Sequence, residues 1–193
     1  MTAENRAKYE KISRHFLEII KALGLDLDDQ NIADTHKRVA RLYLEMFQGL
    51  EDGNEPHITT FPNKEKYSSM VFVKDIPFYS MCSHHFVPFY GKAHMGYIPK
   101  DRILGISKLA RVLEFYAKRP QLQERLTEQC VGYLWNCLQP LGAIVVVEAH
   151  HLCMEMRGVK KPGSITVTSA IRGCFEDKAV REEFLDLLDR PSW

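Results

Sequence analysis

Along the first 50 positions the apolar residues recur at helical spacing. After Tyr9, the residues Ile12, Phe16, Ile19, Ile20 and Leu23 advance in three- and four-residue steps along one face, and Gly24 is a stop. A second helix is expected from about Thr35 to Phe47, with Val39, Leu42, Tyr43, Met46 and Phe47 on one side and Asp34 or Thr35 as its N-cap. Residues 51–66 contain Gly, two Pro and many polar groups, so a connector is expected there.

Beyond residue 66 the period changes. Ser69–Val73 has the composition of a strand, and 86–90 and 93–98 read as two strands around a tight turn at Gly91-Lys92. Two helices are expected next: Ser107–Lys118 with Ser107 as N-cap, and Gln121–Leu138 opened by Pro120. Ala143–His150, Met154–Arg157 and Ile165–Ala170 read as strands, and Lys178–Leu188 as a closing helix. Two helices, then ββ–αα–ββ, then one helix is an α+β order with an antiparallel sheet, because hairpins and a helix pair replace alternating βαβ units. The expected division is a helical segment over 1–66 and a folded domain over 67–193.

Composition narrows the class. With 45% hydrophobic and 26% charged residues, a chain of 193 residues can bury a sizeable core and is neither disordered nor fibrous. Lys and Arg number 26 against 25 Asp and Glu, a net charge of +1. That balance argues against a broad polyanion-binding surface while leaving room for a locally basic pocket. The aliphatic run 143–147 is far shorter than the roughly 20 residues of a membrane span, and the charged N-terminus lacks the apolar core of a secretory leader. Five cysteines, an odd number, then argue for reduced thiols and a cytoplasmic location.

Two of those thiols stand among histidines. Cys82-Ser83-His84-His85 lies just before a strand, and His150-His151-Leu152-Cys153 ends another. Thiolate and imidazole from two distant segments are zinc ligands and exclude Mg²⁺ or Ca²⁺. The sequence leaves open which histidine binds, although the two-residue gap between Cys82 and His85 suits one ion gripped from one turn. Three protein ligands would leave a catalytic position open, with the remaining histidines free to carry protons near neutrality. Cys130, Cys137 and Cys174 are read as small packed hydrophobes. Positive charge gathers at Ser107-Lys108 with Arg111, where a helix start favours anions, and again at Arg157–Lys161. Glu124 is an ordinary first-turn acid on spacing alone.

These segments lie within longer stretches that resemble the GTP cyclohydrolase I family. MCSHHFVPFYGKAHMGYIPKDRILGISKLARVLEFYAKRPQLQERLTEQ is similar to that family's central signature, and HHLCMEMRGVKKPGSITVTSAIRGCF to its C-terminal one; DTHKRVARLYLEMFQGL extends the likeness more weakly. The resemblance implies Cys82, His85 and Cys153 as the ligands of Zn²⁺ and His84 and His151 as proton carriers. It implies Glu124 on the guanine edge with Gln123 beside it, and Ser107, Lys108, Arg111 and Arg157 on the triphosphate, with Arg38 and Arg41 as further phosphate contacts. The implied reaction adds water at C8 of GTP, opens the imidazole ring, releases formate and recloses to 7,8-dihydroneopterin triphosphate. The implied architecture is the tunnelling fold, a ββααββ sheet with helices on one face behind N-terminal helices, assembled as a homodecamer whose active sites are shared between subunits. Two rivals are a non-catalytic zinc-stabilised binding protein, which would have no need of His84, His151 or Glu124, and a tunnelling-fold enzyme acting on another purine or pterin.

Overall fold

In the computed structural model the described residues are 1–51, 53 and 55–191; positions 52 and 54 of the expected connector and the last two residues of the expected domain fall outside them. The chain opens with α1 (Ala3–Ala22) and α2 (Thr35–Met46), which pack against each other. α1 begins well before Tyr9 because the Thr2 hydroxyl accepts from the Asn5 backbone N–H at 3.2 Å, capping a polar first turn. A short strand, β1 (Thr60–Pro62), lies inside the expected connector and pairs with β4, described below.

The long strand β2 (Val71–Cys82) extends the expected 69–73 segment to the first cysteine. β3 (Pro88–Ile98) follows, then β4 (Arg102–Leu104), α3 (Ser107–Ala117), β5 (Pro120–Gln121), α4 (Gln123–Leu138), β6 (Gly142–His151), α5 (Leu152–Glu155), β7 (Ile165–Gly173) and α6 (Lys178–Asp189). The main sheet has the order β5-β2-β3-β6-β7. β2, β3, β6 and β7 are antiparallel neighbours, and β5 joins β2 in parallel through two residues. This is the ββααββ arrangement in one curled layer.

Alternation sorts the side chains between the two faces. Phe78, Phe89, Met95, Val145, Val147 and Ala170 meet Leu109, Val112 and Leu113 of α3 and Leu126, Val131 and Leu134 of α4 in the main core. Each fully buried Val, Leu, Phe or Met among them contributes about 1.5–3 kcal/mol. Ile144 and Val146 point the other way and pack with Phe175 and with Phe184 of α6, so the closing helix covers part of the second face.

Several local expectations need correction. Gly91 makes no turn: residues 88–98 form one strand paired on both sides. A Cβ at Gly91 would stand 1.9 Å from the Glu148 carbonyl oxygen, so a close approach of β3 and β6, rather than a reversal, requires glycine. Gly91→Ala is expected to cost about 3 kcal/mol of stability, readable as a lower denaturant midpoint; an unchanged midpoint would refute the close approach. Met154–Arg157 is not a strand, since residues 152–155 form the single helical turn α5. Leu, Met and Glu favour a helix over a sheet. Ser107 is the first residue of α3 and Ile106 takes the cap position. Pro120-Gln121 pairs with β2 instead of opening α4. Cys130 is buried as expected, but Cys137 is exposed, because Leu138 meets the core at the last turn of α4.

No helix among the described residues is long and apolar enough to cross a membrane.

Candidate metal centre and active site

The sheet's topology gathers the two cysteine–histidine clusters at one edge of the core. Cys82 ends β2, and the chain reverses tightly after it: the Cys82 carbonyl accepts from the Phe86 N–H at 2.9 Å, and the Cys82 N–H donates to the Val87 carbonyl at 3.0 Å. Phe86 takes a left-handed conformation in this reversal (φ 51°). Its ring packs against Phe47 at 5.2 Å and Tyr43 at 6.3 Å, so the aromatic face of α2 clasps the loop that carries His84 and His85. On the other side, the Ser83 N–H donates to the Gln121 carbonyl at 2.9 Å, which brings the start of α4 beside the first cluster.

β6 delivers the second cluster. Its pairing with β3 sets His151 opposite Phe89, and the α5 turn then folds Cys153 back towards Cys82. One ligand atom each from Cys82, His85 and Cys153 lies within 4.8 Å of the other two, a group that can hold a metal ion. Cys82 is buried, Cys153 partly buried and His85 exposed, so the group opens outwards on the imidazole side. Burial, then the hydrogen bond and charge of the neighbouring Cys82 thiol, push the Cys153 thiol up. Two thiols forced together disfavour ionisation in one another, and a bound cation reverses that preference by taking both as thiolates.

The remaining predicted residues divide by position. His84 is exposed, with Nδ1 at 3.9 Å from the Cys82 sulfur. His151 stacks flat on the buried Phe89 ring (centroids 4.6 Å, planes 3° apart) and shares a 2.7 Å hydrogen bond with Gln123 Oε1. Burial lowers its pKa, while the charges of Glu124 and Glu155 pull the other way. Glu124 is exposed in the first turn of α4, and Arg157 is exposed just beyond α5. Ser107, Lys108 and Arg111 stand on the first turns of α3. Lys108 Nζ donates to the His57 carbonyl at 3.0 Å, and Arg111 lines a cavity of about 290 Å³ with Gln48, Pro56, Glu114 and Lys118. Cys82, His85 and Cys153 do not line that cavity. Arg38 Nη2 donates to the Asn31 carbonyl at 2.7 Å and to the Thr35 hydroxyl at 3.1 Å, and the Arg41 guanidinium lies over the Tyr9 ring, so both are engaged within the N-terminal helices.

Sequence patterns missed three supporting groups. Phe89 looks like any strand apolar residue, Phe86 like a loop residue, and Thr168, whose hydroxyl lies 3.2 Å from Gln123 Nε2, like a β-branched strand former. Only the folded register reveals their contacts.

Residues 12–189 match the model of the family described as GTP cyclohydrolase I. The chain belongs to the GTP cyclohydrolase I family. It is 53% identical over 186 residues to the GTP cyclohydrolase 1 of Clostridioides difficile, covering 95% of this chain and 98% of that one. It is 52% identical, over the same shares of each chain, to the GTP cyclohydrolase 1 of Halalkalibacterium halodurans. A solved structure, the archaeosine synthase QueF-Like in its apo form, aligns at 21% identity and a TM-score of 0.46 over 56% of this chain and 97% of that one. As a member of the GTP cyclohydrolase I family the chain is an enzyme of the hydrolase class, and its mixed α+β fold with N-terminal helices agrees with that family's architecture.

Proposed function

We propose that the Cys82–His85–Cys153 group is a zinc centre at which this chain carries out its family's reaction, the opening of the guanine imidazole ring of GTP at C8 with loss of formate. The convergence of two thiols and one imidazole within 4.8 Å carries this reading. The donor set fits the metal: sulfur and nitrogen ligands suit Zn²⁺, and three of them leave a position for substrate chemistry. Bound there, zinc would supply a Lewis acid and make water acidic near neutrality.

The protein groups around it supply orientation and protons. Glu124, exposed at the start of α4, offers acceptor oxygens to the N–H donors of the guanine edge. His84 beside Cys82 and His151 on Phe89 are the proton carriers. Lys108, Arg111, Arg157 and the Ser107 hydroxyl are the triphosphate contacts, with Arg38 and Arg41 in a more distant role. Cys82 and Cys153 do not line the Arg111 cavity. By family likeness the chain is a homo-oligomer, a homodecamer whose active sites are shared between subunits. Unpaired cysteines suit a cytoplasmic location.

Steady-state kinetics with GTP, following formate and the pterin chromophore together, test the reading. The wild type is expected to release both in equal amounts. Glu124→Ala is expected to raise KM for GTP about 10–100-fold, the loss of charge-assisted hydrogen bonds to the base, with a smaller change in kcat. Absence of formate from the metal-loaded protein would overturn the function, and unchanged kinetics in Glu124→Ala would remove that carboxylate from the guanine pocket.

A further inference from the structure

Gln123 is 2% exposed, although it neighbours the exposed Glu124. A buried amide must satisfy both its ends. Here the partners dictate which end faces which. Nε2 lies 2.9 Å from the Val147 carbonyl, 2.9 Å from the Thr166 carbonyl and 3.2 Å from the Thr168 hydroxyl. The carbonyls can only accept.

The hydroxyl is constrained as well. Thr127 donates its single hydroxyl proton to the Gln123 backbone carbonyl at 2.8 Å, so in the 2.7 Å contact between the Thr127 and Thr168 hydroxyls Thr168 is the donor. The Thr168 oxygen then has only lone pairs to offer the amide. Three acceptors therefore hold the NH₂ end, the amide cannot flip, and Oε1 is turned to His151. Oε1 accepts, so the proton in the 2.7 Å bond sits on His151 Nε2.

We infer that Gln123 is a positioning residue for His151: it fixes the imidazole in the Nε2–H form and leaves Nδ1 as the ring atom with a free lone pair. Phe89 sets the plane of the ring by stacking, and Gln123 sets its rotation and tautomer. The anchor is rigid, because Val147 lies on β6, Thr166 and Thr168 on β7, and Gln123 and Thr127 on α4. This places Gln123 behind a reacting group instead of on the guanine edge. The catalytic consequence rests on the proton-carrying role proposed for His151; the tautomer does not.

The ¹⁵N spectrum of ¹⁵N-histidine-labelled, zinc-loaded protein tests the assignment, with the His151 ring identified by its loss in His151→Ala. The wild type is expected to show a protonated Nε2 and a bare Nδ1. Gln123→Ala is expected to show mixed tautomers at unchanged zinc content, with kcat lower by roughly 10–100-fold, as for other residues that orient a reacting group, and KM for GTP within about twofold. A proton on Nδ1 in the wild type overturns the inference even if Gln123→Ala does not fold. A Gln123→Ala variant with raised KM and normal kcat overturns it in favour of direct substrate contact. Normal turnover by His151→Ala would instead sink the proton-transfer role and the catalytic part of the inference with it, leaving the spectrum to decide the tautomer.

Discussion

Cys153→Ala is expected to lose its metal and its turnover together. Cys153 reaches the Cys82–His85 pair only because α5 folds the chain back at the end of β6. Without its sulfur two protein ligands remain, one of them on an exposed histidine, too few for a tightly held ion. Formate release should fall on the order of 10³-fold, the scale of several kcal/mol of transition-state stabilisation by a Lewis acid. Metal content after dialysis, measured beside formate release, checks both parts. Stoichiometric zinc in the variant would contradict the ligand assignment.

His84→Ala is expected to separate those two losses. The His84 ring is exposed and near Cys82, yet the group whose atoms converge is completed by His85. The variant should keep one zinc per chain and lose roughly 10²–10⁴-fold in kcat, the range for a positioned acid or base. Loss of zinc would make His84 a ligand. Retention of both zinc and activity would remove it from the chemistry.

The converging Cys82, His85 and Cys153 are legible in the sequence because metal chemistry is selective about residue types. Cysteine and histidine at a two-residue gap, repeated in a second segment, carry their meaning without a fold. The ββααββ order was legible for a similar reason, since the change from helical to alternating spacing marks each element. What escaped depends on contacts between segments distant in sequence. Gly91 has the local look of a turn, and only its closeness to Glu148 on the neighbouring strand explains it. Met154–Arg157 carries no local mark of a reversal, yet the chain curls at Leu152–Glu155 and brings Cys153 back to Cys82 and His85. β1 and β4 are three residues each, too short for a period, and are defined by one another. Gln123 is the sharpest case: no local pattern shows that its buried amide meets Val147, Thr166, Thr168 and His151.

The central claim is that the Cys82–His85–Cys153 centre drives the opening of GTP. Stepwise return of Zn²⁺ to chelator-stripped protein, with formate release measured at each addition, tests it most directly. The rate is expected to start near zero, rise in proportion to bound zinc and level off at one ion per chain. Full formate release from the stripped protein, or a plateau reached only after a second ion binds, would contradict it.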